Sequence, residues 1–252
     1  MHPYLDRPYP IALAHRGGIE VAEENSMAAF THAVEQLGFR YLETDTHATK
    51  DGVLVAFHDD RLDRVTDHVG KIADFTWASL KKVRMANGDR IPLLEDLMTA
   101  WPDVCLNIDP KVDAAAERLP GVIRRPNFGL DRLCIGAFSV RRLQSLRKAL
   151  GPDLCTSMGP WEVLRLRLRS WGLPFSRYAA QCCQVPVSER GVPVADKRFI
   201  DAAHRLGLKV HVWTINEENE MRRLLDLGVD GLITDRPTLL KQVLESRGQW
   251  SS

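Results

Sequence analysis

No segment of the 252 residues approaches the roughly 18 consecutive apolar residues that a membrane span needs. The N-terminus also lacks a basic stretch followed by an apolar one, so neither a span nor an export leader is expected, and a cytoplasmic location is. Net charge is nearly absent: 34 Lys and Arg stand against 33 Asp and Glu, a formal +1. Such a balance offers no global field for nucleic acid or an acidic polymer, so any anion must be recognised locally. Cysteine is sparse and odd in number. The five residues Cys105, Cys134, Cys155, Cys182 and Cys183 all fall in apolar, strand-like segments without metal-ligand spacing, which predicts reduced core thiols. There is no Gly-x-Gly-x-x-Gly, no Gly-Lys-Ser/Thr loop and no low-complexity stretch, so the usual dinucleotide and P-loop signals are missing.

What is present is alternation. With 28.4 kDa and 44% hydrophobic residues the chain can bury a full core, and about 250 residues is the usual size of a (β/α)8 barrel. Apolar strand-like runs at 11–14, 41–46, 104–109, 133–138, 154–158, 179–185, 209–214 and 231–234 are separated by helical patterns. Those patterns cover 26–37, 93–100, 140–150, 161–171, 196–206, 217–227 and 238–246. Asn25 or Ser26 is placed to cap the first of them. Eight such units call for a parallel sheet with right-handed crossovers, and favour closure into an α/β barrel over an open doubly wound sheet. One domain spanning 1–252 is expected.

Two departures from the alternation follow the second strand. Asp51-Gly52 is a hairpin-type turn leading into a short extra strand at 53–57. Residues 60–92 are polar, broken by Gly70 and by Asn87-Gly88, and read as a small insertion with one short helix near 77–84.

Residues able to do chemistry gather where strands end, which is where β/α barrels keep their sites. Glu43 and Asp45 are two apart on a strand and share a face. Asp109 ends the next barrel strand. Three carboxylates brought together would repel one another unless a positive charge lay between them, which points to a hard divalent cation, Mg2+ or Ca2+. His15 and His58 each close a strand-like run and supply an acid and a base with ordinary pKa near 6.5. Arg16 and Lys111 lie beside them as phosphate contacts, the arginine as a fork and the lysine as a point charge.

Seven blocks together resemble the glycerophosphodiester phosphodiesterase family. They are His15-Arg16-Gly17, Glu24-Asn25-Ser26, Glu43-Thr44-Asp45, the run ending His58-Asp59, Asp109-Pro110-Lys111, the run His211 to Asn216, and the run Gly228 to Pro237. The resemblance covers nearly the whole chain, in the family's order. It implies a TIM barrel with a small insertion after the second strand. It further implies hydrolysis of a glycerophosphodiester to glycerol 3-phosphate and an alcohol, with His15 and His58 as the acid/base pair. Glu43, Asp45 and Asp109 would bind the metal, and Arg16 and Lys111 the phosphate. Asn25 would order the His-Arg-Gly loop or contact substrate, and Trp213 would wall the pocket.

Two positions depart from the family pattern. Ser26 replaces the usual Thr and keeps the capping hydroxyl. Asp109 replaces the usual Glu and is one methylene shorter, which weakens the expected metal contact. Two other activities fit the same residues: lysophospholipase D action on lysophospholipids, and a non-catalytic barrel that binds a phosphorylated ligand. Residues 161–177 are basic and apolar together, the pattern of a peripheral membrane contact or of a barrel helix with its arginines in water.

Overall fold

The computed structural model describes residues 1–7, 10–125, 128–175 and 177–250. Its strands, in chain order, are β1 (Ile11–His15), β2 (Tyr41–Ala48), β3 (Leu54–Ala56), β4 (Cys105–Pro110), β5 (Leu133–Ile135), β6 (Cys155–Thr156), β7 (Cys182–Pro186), β8 (Ser188–Glu189), β9 (Val192–Pro193), β10 (Lys209–Trp213) and β11 (Gly231–Thr234). The α-helices are α1 (Met27–Thr31), α2 (Trp77–Leu80), α3 (Leu94–Ala100), α4 (Asp113–Ile123), α5 (Val140–Leu150), α6 (Pro160–Ser170), α7 (Lys197–His204), α8 (Glu218–Leu227) and α9 (Pro237–Ser246).

Eight strands pair in parallel in the order β6-β5-β4-β2-β1-β11-β10-β7. The two ends of that path meet where Ser157 bridges to Cys182, and Met158 N donates to Cys182 O. The result is the (β/α)8 barrel that the alternation predicts. β3 pairs with β2 in an antiparallel hairpin.

Period-two patterning sorts the side chains. Leu42, Leu106, Ile108, Val210 and Val212 face outward into one large core shared with the helices. The intervening positions face the barrel axis, where Leu13, Tyr41, Cys105, Cys134, Cys155, Cys182 and Ile233 form a separate apolar floor. A 3-10 turn at Pro3–Leu5 closes that floor from below, with Tyr4 wholly buried and accepting from Tyr41 Oη at its carbonyl (2.6 Å).

Local signals explain most boundaries. Ser26 is the cap of α1, its Oγ accepting from Ala29 N, but the regular helix ends at Thr31 and widens into a π turn at His32–Gln36. The short helix expected over 77–84 is a single turn, α2. α4 was not expected. Its strong helix formers Ala114 to Leu119 are followed by Pro120 and Gly121, which hide the pattern. The β8–β9 hairpin was also unforeseen; it turns through Arg190 (φ 49°) and Gly191 (φ 79°), the left-handed pair that a two-residue hairpin needs. The segment between β3 and α3 packs Leu62, Val65, Ile72, Leu80, Val83 and Met85 against Val55 and Phe57 as its own cluster.

The basic stretch of α6 is a barrel helix, though its arginines are not all in water. Arg167 is buried and forks onto Asp196 (2.8 and 2.5 Å), the residue that caps α7. Arg165 lies over the Phe175 and Tyr178 rings, and Arg169 donates to Phe175 O. Among the described residues no helix is long and apolar enough to cross a membrane.

Leu42 has no exposure and joins the sheet to the helix layer. Leu42→Ala is expected to lower unfolding free energy by about 2–5 kcal/mol. Urea midpoints check this, and a loss below about 1 kcal/mol would mean that the site collapses freely.

Candidate active site

The strand register builds the site. His15 is paired with Glu43, Glu43 with Asn107, and Asp45 with Asp109 across β1, β2 and β4. These side chains therefore emerge side by side at one end of the barrel. The loop after β1 is held in an unusual backbone: Arg16 (φ 53°) and Asn25 (φ 56°) both lie in the left-handed region, which costs a non-glycine residue roughly 1–3 kcal/mol. Three bonds hold them there. Arg16 N donates to Glu43 O (3.0 Å) and Glu43 Oε2 (3.2 Å), and Asn25 N donates to Arg16 O (2.8 Å). Gly17 (φ 83°) is required here, because a Cβ would come within 2.8 Å of Phe30 N.

Charge is densest around Asp45, which is 1% exposed. Lys111 Nζ lies 2.7 Å from Asp45 Oδ1 and 2.8 Å from Asp109 Oδ2, while Arg16 Nε is 3.0 Å from Asp45 Oδ2. Asn25 Nδ2 donates a further bond to Asp45 Oδ2 (3.1 Å). Burial alone would raise the Asp45 pKa, but Lys111 and Arg16 outweigh it and hold the group below the usual carboxylate range. Glu43 has less compensation: burial first, then the Asp45 charge, push it up to about 7. Asp109 is raised too, by burial that Lys111 only partly offsets.

Each histidine is tied to an aspartate through Nδ1. His15 Nδ1 donates to Asp235 Oδ1 (2.5 Å), and Asn216 Nδ2 donates to the other Asp235 oxygen (2.8 Å). His58 Nδ1 donates to Asp59 Oδ1 (2.6 Å), whose second oxygen accepts from Arg64 Nε (2.7 Å). The Arg64 hydrogen bond holds Asp59 down at about 2. Burial would lower the His15 pKa, but the Glu43 charge and the Asp235 bond raise it overall. Glu24 joins the two halves by accepting from both Arg16 (3.1 Å) and Arg64 (2.5 Å).

A cavity of about 620 Å3 opens between these groups, lined by His15, Arg16, Glu43, Asp45, His58, Asp109 and Lys111 on its charged side. Its other side is apolar, with Met158, Val163 and Trp213, whose ring meets Phe138 edge-on (5.7 Å). Asn25 does not line the cavity; it sits behind Asp45 as a brace, also accepting from Thr44 Oγ1 (2.8 Å). Asn107 does line it, is 4% exposed, and presents an Oδ1 with no hydrogen-bond partner among the described residues.

A sequence profile of the glycerophosphoryl diester phosphodiesterase family matches residues 15–239. The chain belongs to that family. Its enzyme class is therefore phosphoric diester hydrolase. It is 41% identical over 247 residues to "Probable glycerophosphodiester phosphodiesterase 2" of Mycobacterium tuberculosis, covering 95% of this chain and 92% of the relative. It is 29% identical to a glycerophosphodiester phosphodiesterase of Caldanaerobacter subterraneus, covering 94% and 99%. The fold matches an Oleispira antarctica phosphodiesterase solved with its product sn-glycerol-3-phosphate, at TM-score 0.77 and 24% identity, covering 94% of this chain and 97% of that one.

In this family member the orienting partners Asp59, Asp235, Asn216 and Glu24 were not assigned roles from sequence, although each lies within a recognised block. Asp235 is 220 positions from His15, and no local spacing connects them. Asn107 had no signal beyond its place two residues before Asp109 on the inward face.

The carboxylates Glu43, Asp45 and Asp109 supply oxygen donors only and are buried or nearly so, and burial followed by the Asp45 charge raises the Glu43 pKa to about 7. That donor chemistry fits a hard divalent cation. Asp45 and Asp109 close on the Lys111 ammonium while Glu43 faces His15 and Arg16 N, so the three are not drawn into one chelating group; among the described residues three ligand atoms lie within 4.8 Å of one another only at Cys134, Cys155 and Cys182.

Because the Glu43 pKa is raised in the folded protein, folding is penalised as pH climbs from about 4.5 through about 7. In chelator-treated protein, Glu43→Gln is expected to melt higher than the parent at pH 8 and near it at pH 4. The difference should be at most on the order of 3 kcal/mol, and equal gains at both pH values would refute the assignment. Asp235→Asn should leave stability within about 1 kcal/mol but lower kcat at least tenfold, as expected when an imidazole loses the carboxylate that fixes its tautomer.

Proposed function

We propose that this protein hydrolyses small glycerophosphodiesters to glycerol 3-phosphate and an alcohol, in the cytoplasm, by acid/base catalysis from His15 and His58 with a divalent cation, Mg2+ or Ca2+. The observation that carries this reading is the pair of His–Asp dyads, His15–Asp235 and His58–Asp59, facing one cavity across a buried cluster of carboxylates and cations.

An aspartate on Nδ1 fixes the tautomer that leaves Nε2 toward the cavity and stabilises the imidazolium when a proton arrives. One Nε2 removes a proton from the attacking water or neighbouring glycerol hydroxyl while the other delivers one to the leaving oxygen, so no strong base or acid is needed at neutral pH. Arg16 and Lys111 turn toward the phosphoryl oxygens. Both cations already sit at the mouth of the charged side, held by Asp45 and Glu24, so little reorganisation is needed when charge develops. Glu43, Asp45 and Asp109 would hold the divalent cation, which would neutralise phosphate charge when bound. Asn107 Oδ1 accepts from a glycerol hydroxyl, and Trp213 and Phe138 form the apolar wall.

Release of glycerol 3-phosphate from glycerophosphocholine tests the reading directly. His15→Ala and His58→Ala are each expected to lower kcat by about 100- to 10,000-fold, and EDTA should abolish turnover until Mg2+ or Ca2+ is restored. Turnover within a few-fold of the parent in both variants would overturn the acid/base assignment. Turnover of lysophosphatidylcholine is expected to be slower than that of glycerophosphocholine. Asp109→Glu, by lengthening the third carboxylate, should tighten the cation requirement, read as a lower Mg2+ concentration at half-maximal rate.

A further inference from the structure

The barrel floor holds a cluster that the phosphodiester chemistry does not use. Cys134 of β5, Cys155 of β6 and Cys182 of β7 have no exposure, and their Sγ atoms all lie within 4.8 Å of one another. Cys134 Sγ and Cys182 Sγ are 3.8 Å apart. A tetrahedral thiolate site with metal–sulfur bonds of about 2.3 Å sets its sulfurs about 3.8 Å apart. We propose that Cys134, Cys155 and Cys182 form a binding site for a thiophilic cation of the zinc class, at the opposite end of the barrel from the phosphodiesterase site.

Two unsatisfied polar groups reinforce the geometry. His211, on the inward face of β10, is wholly buried and its Nε2 has no hydrogen-bond partner among the described residues. Its Nδ1 lies 3.5 Å from Gln184 Nε2, and burial lowers its pKa, which keeps the ring neutral. Tyr4 Oη beneath the floor is likewise buried without a partner among the described residues, and Cys105, Cys134 and Cys155 act on it electrostatically. Buried polar atoms are seldom left unpaired, and an ion is one of the few physical reasons for it. Three thiolates supply three corners of a tetrahedral zinc site; neither ring nitrogen of His211 joins the group of atoms within 4.8 Å of one another, so His211 borders the site and is not counted among its ligands.

The three cysteines are far apart in sequence, and their placement is a product of closure. Cys134 pairs with Cys155 in register, and Ser157, two residues on, bridges to Cys182. On binding, three S–H bonds are lost, three protons leave to water and three sulfur–metal bonds form, so no oxidant or reductant is consumed. The bound site carries one excess negative charge, which the fields of Arg7 and Arg132, both acting on neighbouring Cys105, oppose. With the floor closed by Tyr4, the ion enters as the chain folds.

The test uses full-length protein produced in medium containing zinc or cobalt, then dialysed against EDTA to strip the open carboxylate site. About one metal per chain should survive by mass spectrometry, and the cobalt form should show a sulfur-to-cobalt charge-transfer band, which oxygen ligands cannot produce. Cys134→Ser and Cys182→Ser should lose the band. Cys183→Ser should keep it, because that thiol faces the helix layer. If the cysteine variants fail to fold, the parent protein alone decides. Absence of both retained metal and the band, or a Cys134–Cys182 disulfide found by thiol counting after unfolding, would overturn the proposal, as would an unchanged band in Cys134→Ser.

Discussion

Asp45 is a carboxylate taken almost entirely out of water at the end of β2, and the upper half of the barrel is arranged around keeping it charged. An uncompensated buried ion costs several kcal/mol, more than most single interactions return. Here Lys111 and Arg16 approach its two oxygens and Asn25 donates a third contact. Each of these neighbours is constrained in turn. Lys111 also contacts Asp109, Arg16 stands on a left-handed backbone pinned to Glu43, and Asn25 is pinned to Arg16. The members hold one another in place, because removing any one would leave another buried without its partner. Groups held in this way need little rearrangement to meet a negative charge.

The same alternation that brings carboxylates to one end of the barrel brings thiols to the other. Along β4 the inward positions read Cys105, Asn107, Asp109, from apolar floor to charged mouth. Along β7 they read Cys182, Gln184, Pro186. Polarity therefore rises along the barrel axis, with hard donors where solvent and substrate arrive and soft donors where water is excluded. Hard cations keep part of their hydration and need an open site, whereas thiolates hold a cation best when dry.

The barrel was readable because β/α alternation is a one-dimensional signal repeated eight times. His15, Arg16, Glu43, Asp45, His58, Asp109 and Lys111 were readable because strand ends mark the chemical face of such a barrel. Misjudged elements were those whose local cues conflict: α4, where Pro120 and Gly121 follow good helix formers, and α2, a single turn within a segment stabilised by its own small core. Arg167 looked like a solvent-facing charge, yet it is buried on Asp196, a partner contributed by a different β/α unit.

By itself the sequence determined which residue types stand at strand ends and on which face, because side-chain direction follows from a period of two. It therefore determined the fold class and pointed to His15, Arg16, Glu43, Asp45, His58, Asp109 and Lys111, though not to Glu24, Asp59, Arg64 or Asp235. Tertiary structure alone decided who touches whom: that Asp235 orients His15, that Glu24 links Arg16 to Arg64, that Asn25 braces Asp45 behind the cavity wall, and that three scattered cysteines meet at the floor. Those contacts arise from closing the sheet into a ring, which sets β1 beside β11 and β6 beside β7. Ring closure is a long-range event that no local spacing encodes.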